Sequence, residues 1–586
     1  MTSYANRPWT KSYDAHVKPS LAPYPEYGIP HFLKTAAQQA PDNIALVTST
    51  RLPSVLGNLG RLATRLTYAE LDRTSDALAV ALIEMGVKKG DRVAVVMPNI
   101  AAFVISFWAI LKAGGVIAAA NPTYPADKLK FQINDSDAKI CLCMSLYYNT
   151  IQSIRKETQL KHVIVANIKE YLPGLAKTLF SLARERKEGH RVEALAPGDY
   201  AFQALLGRYA GQTPNVTVKG NDLALFQYTG GTTGVAKAAM SRHSALVANS
   251  LQCENYLLAD SKDSFLGAIP MFHVFGMVAV LMFATALKAP IYLVPNAREI
   301  SDVLDTINTY QPSIFMGVPA LYNAIRLHPK VTAGEVDLSS IRACISGSAP
   351  LAPSTKVEFE KLSGGRLMEG FGMSETPTAT FVNPLKGENR TGSIGLPLPD
   401  VDVRIVSLDD GETEMPMGEP GELLVSAPQN MVGYHKMPTE TANALREKDG
   451  KLWLYTGDIA RMDENGYFYI VDRKKDMALI GGFNVYPNMV EKVIAEHPAV
   501  AEVGVAAIPH PQKVGQESLK AWVVLKEGQS VTEQALIEHQ ETKLAGYEVA
   551  RRFSFVRELP KTAVGKTLRR ELIQMETAAA EGTPQA

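Results

Sequence analysis

From Arg92 to Ala120 the chain spells strand, helix, strand: Arg92 to Met97 is a β-rich run, Ala101 to Lys112 an apolar helical pattern, and Gly115 to Ala120 a second β-rich run. A crossover helix between two such runs makes them parallel neighbours in one sheet, packed under helices. Short β runs after helical sequence return at Ile291 to Val294 and Ala343 to Ser346, so the pattern predicts a large layered α/β domain. No internal repeat of fixed period is present.

At 586 residues the chain exceeds what one hydrophobic core accommodates, so one large domain plus at least one smaller domain is expected. Lys plus Arg and Asp plus Glu number 60 each, which leaves no global field to draw nucleic acid or an anionic surface. Cys141 and Cys143 stand one residue apart, not the two of zinc knuckles and thioredoxin motifs, and with four cysteines in all they read as reduced structural thiols. The stretch MTSYANRPWTKSYD has no apolar signal-like run, so a cytoplasmic location is expected, with the inner face of the membrane as an option. The longest apolar run, Val274 to Leu287, stops at Lys288, short of the roughly 20 residues that span a bilayer, and predicts a buried core helix.

Leu172, Leu175, Leu179 and Leu182 share one helical stripe beside a basic tail. Two readings are open: a surface helix whose stripe packs on its own domain, which is preferred, or an interfacial helix resting on a membrane. After Asp472 the basic cluster Arg473, Lys474 and Lys475 leads into a glycine-bearing stretch, and the domain junction is placed there, with residues 1–474 large and 475–586 small. The small part predicts helices at Asn488 to His497, Thr532 to Leu544 and from Thr567, with strands near Val503 to Ala507, Ala521 to Leu525 and Phe553 to Val556, an α+β domain.

The most informative motif is Tyr228-Thr229-Gly230-Gly231-Thr232-Thr233-Gly234-Val235-Ala236-Lys237, directly after the apolar run Leu223 to Phe226. Glycines let backbone N–H groups approach phosphate oxygens, the threonines add hydroxyl donors, and Lys237 supplies a mobile positive charge. It is not a Walker A loop, because Val-Ala-Lys-Ala follows Gly234 where Gly-Lys-Ser/Thr would be needed. Ser244 is the expected N-cap of the helix that follows. Further along come Ser346-Gly347-Ser348-Ala349-Pro350-Leu351, Glu369-Gly370-Phe371-Gly372-Met373-Ser374-Glu375, Tyr455-Thr456-Gly457-Asp458, Val471-Asp472-Arg473-Lys474-Lys475-Asp476 and Pro560-Lys561-Thr562-Ala563-Val564-Gly565-Lys566. Asp463 to Tyr467 reads as a hairpin turn between strands.

Taken in this order, the motifs resemble those of the adenylate-forming enzymes, the superfamily of acyl-CoA synthetases, luciferases and peptide-synthetase adenylation domains, and within it bacterial long-chain fatty-acid CoA ligases. The resemblance runs from about residue 30 to 575. It implies an α/β fold: a large multi-subdomain N-terminal domain of layered sheets and helices plus a small distorted barrel, with a smaller mobile α+β C-terminal domain. It also implies ATP and coenzyme A as co-substrates with Mg²⁺, and a two-step ligation of a long- or medium-chain fatty acid through an acyl-adenylate.

By the same resemblance Thr229, Gly230, Gly231, Thr232, Thr233, Gly234 and Lys237 cradle the phosphates. Gly347, Ser348 and Ala349 belong to the adenine and acyl-pocket loop; Phe371 flanks the adenine, and Glu369, Gly370, Gly372 and Ser374 bind the nucleotide from the same motif, Ser374 presenting its hydroxyl toward phosphate where the family commonly has threonine. Glu375 is the Mg²⁺ ligand, since magnesium takes only one or two protein carboxylates beside phosphate oxygens and water. Asp458 holds the ribose hydroxyls with Arg473 assisting, and Ile470 lies in the same nucleotide site. Lys475 is the hinge, Gly481 and Gly482 line the pantetheine tunnel, and Lys566 is the adenylation lysine. His273 resembles the family's aromatic gate near the carboxylate, although a lone core histidine reads the same way from sequence.

The acyl pocket is expected to involve Met271, Val274, Gly317, Val318 and Ser346. Two positions depart from the family pattern: Ala238 follows Lys237 where glycine is usual, and Ala550 stands where proline is common. The expected partners are the fatty acid, ATP and coenzyme A and no nucleic acid, with peripheral membrane contact and a homodimer as open options. A different acceptor such as a carrier protein, or a non-catalytic acyl-binding protein on a membrane, are the alternatives to ligation to coenzyme A.

Overall fold

The computed structural model describes residues 4–51, 61–229, 236–480, 483–510, 517–561 and 567–580. These fall into two compact units: Ser12–Val401 with Ser426–Leu445, and the rest, Met1–Lys11, Asp402–Val425 and Arg446–Ala586. The expected junction at 474/475 lies inside the second unit, between its larger sheet and its C-terminal sheet.

In the first unit, the sequence pattern of Arg92 to Ala120 becomes the strands Arg92–Val96 and Val116–Ala119, parallel neighbours joined by the helix Ala101–Lys112. Every residue of that helix is buried, including Lys112, whose ammonium is paired with Asp72 and Asp76 at 2.5 and 2.6 Å. A buried cation is tolerated only with such partners. Among the described residues the strands form an eight-stranded sheet that also contains Leu223–Thr229 and Lys237–Arg242, an antiparallel pair, with Gly433–Tyr434 at its edge.

The second sheet of this unit, nine-stranded among the described residues, has a parallel centre: Phe265–Gly267 pairs with Ile291–Leu293 on one side and Ile314–Gly317 on the other, followed by Ala343–Ser346 and Arg366–Phe371. The chain therefore reverses its direction of growth at Phe265–Gly267. Open parallel sheets offer a ligand crevice at the carboxyl ends of the strands beside such a reversal.

The run Val274 to Leu287 is a buried helical stretch, with wide π-type turns over Met277–Met282, and it ends where Lys288 takes a left-handed conformation at φ +62°. That bears out the expected core helix. No helix among the described residues is long and apolar enough to cross a membrane. The four cysteines are buried and unpaired, and burial pushes the Cys141 and Cys253 thiols up to about 12, so they remain protonated and inert.

Two expectations need correction. The helix after the glycine loop, His243–Leu257, takes Arg242 rather than Ser244 at its N-cap, and no side chain caps it, because it starts two residues earlier, directly from the preceding strand. The leucine stripe packs on its own domain only in part: helix Gly174–Ala183 buries Ala176 and Phe180, leaving Leu172 and Leu179 half-buried and Leu175 and Leu182 56% and 82% exposed. One large aromatic outweighs the leucines in choosing the buried face. Ala238, where the family usually has glycine, lies in an extended strand opposite Tyr228, with no positive φ.

In the second unit, Asp402–Val406, Gly421–Ser426, Lys451–Met462, Leu445–Lys448 and Phe468–Arg473 form one sheet. The turn expected at Asp463 to Tyr467 joins two of its antiparallel strands. Beyond it come the antiparallel strands Ala478–Ile480 and Phe483–Val485, the sheet Val500–Pro509, Glu517–Leu525 and Arg552–Phe555, and the helices Pro487–Ala495, Glu533–Glu541 and Arg569–Ala580. These match the expected order of C-terminal elements to within a few residues. The backbone N–H of Ala550 donates to Gln540 Oε1 at 2.9 Å, a bond that the proline usual there could not make.

Candidate functional site

In the first unit, four expected loops lie together at the carboxyl ends of parallel strands. Ala268 to His273 leaves Phe265–Gly267, Val318 leaves Ile314–Gly317, Gly347 to Ala349 leave Ala343–Ser346, and Gly372 to Glu375 leave Arg366–Phe371. Cross-links tie them into one wall. Gly347 N–H donates to the Gly317 carbonyl at 3.2 Å, and Thr378 Oγ1 donates to the Val274 carbonyl at 2.7 Å. Ser348 holds φ at +73°, a conformation costly for a side chain and of the kind concentrated at ligand sites.

Gly372 is required by space: a Cβ there would sit 1.2 Å from the Thr378 carbonyl oxygen. Phe371 packs edge-on against Phe381 at 5.9 Å between ring centres, and Gly370 lies against Ile345. The Glu369 carboxylate accepts the backbone N–H groups of Gly392 at 2.7 Å and Leu351 at 3.3 Å, which fixes the segment after Ala349. Ser374 and Glu375 follow, half-buried. Ser346 Oγ is buried and makes no hydrogen bond among the described residues.

His273 opens the helical stretch, and its Nδ1 accepts the Phe275 N–H at 3.2 Å. Enclosure by protein pushes its imidazole down to about 4, so at neutral pH the ring is uncharged and attracts no carboxylate as a cation. Two residues that the motifs did not point to hold this turn. Asn99 donates to the Gly267 and Ile269 carbonyls at 2.9 and 2.8 Å and accepts the Met271 N–H at 2.7 Å, while Gln227 Oε1 accepts the Val274 N–H at 3.0 Å. The available signal was a lone amide in each apolar context, Met97-Pro98-Asn99 and Leu223-Ala-Leu-Phe-Gln227.

The glycine loop joins Leu223–Thr229 to Lys237–Arg242, the register closing with Thr229 opposite Lys237. Gly230, Gly231, Thr232, Thr233 and Gly234 lie outside the described residues, as do Gly481, Gly482 and Lys566. Thr229 Oγ1 donates to the Lys237 carbonyl at 3.4 Å, and the Lys237 ammonium lies 5.2 Å from the centre of the Tyr434 ring. Tyr434 in turn donates its hydroxyl to Glu375 Oε1 at 2.7 Å.

In the second unit, Asp458 and Arg473 face each other across antiparallel strands and pair at 3.1 Å, with Asp458 3% exposed. Ile470 lies on the same strand as Arg473, opposite Ala460. Lys475 adjoins Asp476, which together with Asp472 is bound by Arg569 of the last helix; Arg569 also binds Glu491 at 2.7 Å. Burial drives the Glu491 carboxyl upward and the Arg569 charge opposes that shift.

The AMP-binding enzyme model matches residues 33–435, and the AMP-binding enzyme C-terminal domain model matches residues 489–566. A long-chain-fatty-acid–CoA ligase of Bacillus subtilis is 36% identical over 98% of this chain and 99% of its own. One from Yersinia pestis is 35% identical over 96% and 97%. The crystal structure of an anthranilate CoA ligase in complex with anthranoyl-AMP superposes with a TM-score of 0.81 at 26% identity, covering 96% of this chain and all of that one. With loops of the expected composition gathered at the ends of a parallel sheet, and relatives matched from end to end, the chain belongs to the AMP-binding enzyme family.

Proposed function

We propose that the protein is an AMP-forming ligase that joins a long-chain fatty acid to coenzyme A through an acyl-adenylate. The observation that carries this reading is the wall of four loops at the carboxyl ends of the parallel sheet, in a chain 36% identical throughout to a long-chain-fatty-acid–CoA ligase. In the first step a carboxylate oxygen attacks the α-phosphate of ATP and pyrophosphate leaves. In the second the thiol sulfur of coenzyme A attacks the acyl carbon, AMP leaves with the bonding electron pair, and the thiol proton goes to solvent.

Lys237 and the glycine loop hold the phosphates, Asp458 holds the ribose, and Lys566 neutralises charge as the carboxylate attacks. Neutral His273 shapes the entry to the acyl pocket. Magnesium takes one or two protein carboxylates beside phosphate oxygens and water, and Glu375 is that carboxylate. Bound Mg²⁺ would offset phosphate charge. Residues after Lys475 rotate between steps, presenting Lys566 for the first and the loop of Gly481 and Gly482 for the second.

The test is isotopic. Palmitate labelled with ¹⁸O in its carboxyl group should transfer one label to AMP, and labelled pyrophosphate should exchange into ATP with acid present and coenzyme A absent. Label released into pyrophosphate, orthophosphate or water instead of AMP would contradict the adenylate.

The exposure of Leu175 and Leu182 supports peripheral contact with a membrane, with Lys177, Arg186 and Lys187 exposed on the same segment. Replacing both leucines with glutamate should abolish co-flotation with phosphatidylglycerol vesicles while leaving turnover of a soluble medium-chain acid unchanged. Unaltered flotation would rule this helix out.

A further inference from the structure

Lys237 and Glu375 carry opposite charges and share one neighbour, yet no ion pair joins them. Tyr434 stands between: its ring face meets the ammonium at 5.2 Å and its hydroxyl donates to the carboxylate at 2.7 Å. A cation over an aromatic face is attracted without its charge being cancelled, as a carboxylate would cancel it. A phenol donating to one carboxylate oxygen fixes the orientation of the group, and among the described residues Oε2 of Glu375 accepts no hydrogen bond.

The backbone of Tyr434 is anchored without help from its side chain. Its N–H donates to Thr441 Oγ1 at 2.9 Å, it pairs with Ala239, and the preceding Gly433 lies so close to Thr441 that a Cβ would come within 2.6 Å. Glu375 is held a second time through its main chain, whose carbonyl accepts the Met431 N–H at 2.7 Å. The phenol is therefore free to serve the two charged groups rather than the fold.

We propose that Tyr434 is a positioning residue that holds Lys237 and Glu375 apart and aims them, one at the phosphates and the other at the metal of the nucleotide. The proposal rests on the roles given to Lys237 and Glu375 under Proposed function. Without the ring, two flexible side chains of opposite charge would pair with each other and withdraw from ATP.

The experiment is calorimetric titration of the full-length protein with ATP, with and without Mg²⁺, and needs no turnover. Tyr434→Phe keeps the ring face and loses the hydroxyl. It should leave Mg²⁺-free ATP affinity within about twofold of the parent and cut the gain in affinity on adding Mg²⁺ by about tenfold, the scale of one hydrogen bond to a charged group. Tyr434→Leu removes both contacts and should weaken Mg²⁺-free ATP binding as well, by about fivefold, the scale of a partly exposed cation–π contact. Glu375→Gln is the control for the underlying assignment. If Glu375→Gln loses the Mg²⁺ gain and Tyr434→Phe keeps it, the positioning role is overturned while Glu375 stands as the ligand. If neither variant loses it, the metal assignment of Glu375 falls, and Tyr434 falls with it.

Discussion

The side-chain oxygen of Asn99 accepts the backbone N–H of Met271 at 2.7 Å, from an element 172 positions earlier in the chain. The same amide donates to Gly267 and Ile269, so one side chain satisfies three backbone groups of the turn that leads into His273. Asn99→Ala leaves all three without a partner in a buried place. A loss of about 3 kcal/mol or more is expected, at about 1 kcal/mol or more for each group left unsatisfied. Asn99→Asp should recover only the Met271 bond. Thermal unfolding, with KM for the acid as second readout, checks both; a melting temperature unchanged in Asn99→Ala would contradict the role.

Gly372 and Gly174 make a contrasting pair. Alanine at 372 would drive a methyl group into the Thr378 carbonyl, so the loop that carries Ser374 and Glu375 must move, and ATP binding should be lost. Alanine at 174, in the first turn of its helix with nothing within 4 Å, should be neutral or slightly stabilising. Binding and melting measurements on the two variants separate steric necessity from glycine's general cost.

These residues show what was legible in the sequence. The β-run and helix alternation of Arg92 to Ala120 set the sheet, because local periodicity and apolar length suffice for that. Glycine-bearing loops could be read because backbone approach to a ligand excludes side chains. Asn99, Gln227 and Tyr434 could not, since their roles arise only when strands distant in sequence become neighbours. The buried face of Gly174–Ala183 is not legible for a related reason: a stripe of leucines states amphipathicity, whereas the surrounding surface selects Phe180 and Ala176.

His243 gives a pH prediction. It is buried, its Nδ1 accepts the Ile29 N–H at 3.2 Å, and burial pushes its imidazole from 6.5 down to about 4. The folded state keeps the ring neutral while the unfolded chain takes up a proton below 6.5. Its contribution is fully present above that pH and is lost as pH falls from 6.5 toward 4, by roughly 2 kcal/mol at pH 5. His243→Asn retains an acceptor and cannot titrate, so its penalty relative to the parent should shrink by about that amount between pH 7.5 and pH 5. A penalty independent of pH would show that the ring charges freely in the folded protein.

The two-step account separates Lys566 from Gly482. Lys566→Ala should reduce adenylate formation by 100-fold or more, on the order of 3 kcal/mol of transition-state stabilisation, while supplied acyl-adenylate is still converted to thioester. Gly482→Trp should do the reverse. Half-reactions followed with ³²P-labelled ATP and with synthetic acyl-adenylate distinguish them, and equal loss of both steps in either variant would defeat the rotation about Lys475.

The most direct test of the central claim is AMP release from ATP across carboxylic acids from acetate to oleate, each with and without coenzyme A. The account predicts AMP formation that requires coenzyme A and rises to an optimum among long-chain acids. AMP or pyrophosphate formed without coenzyme A-dependent turnover, or no product with any acid, would contradict it.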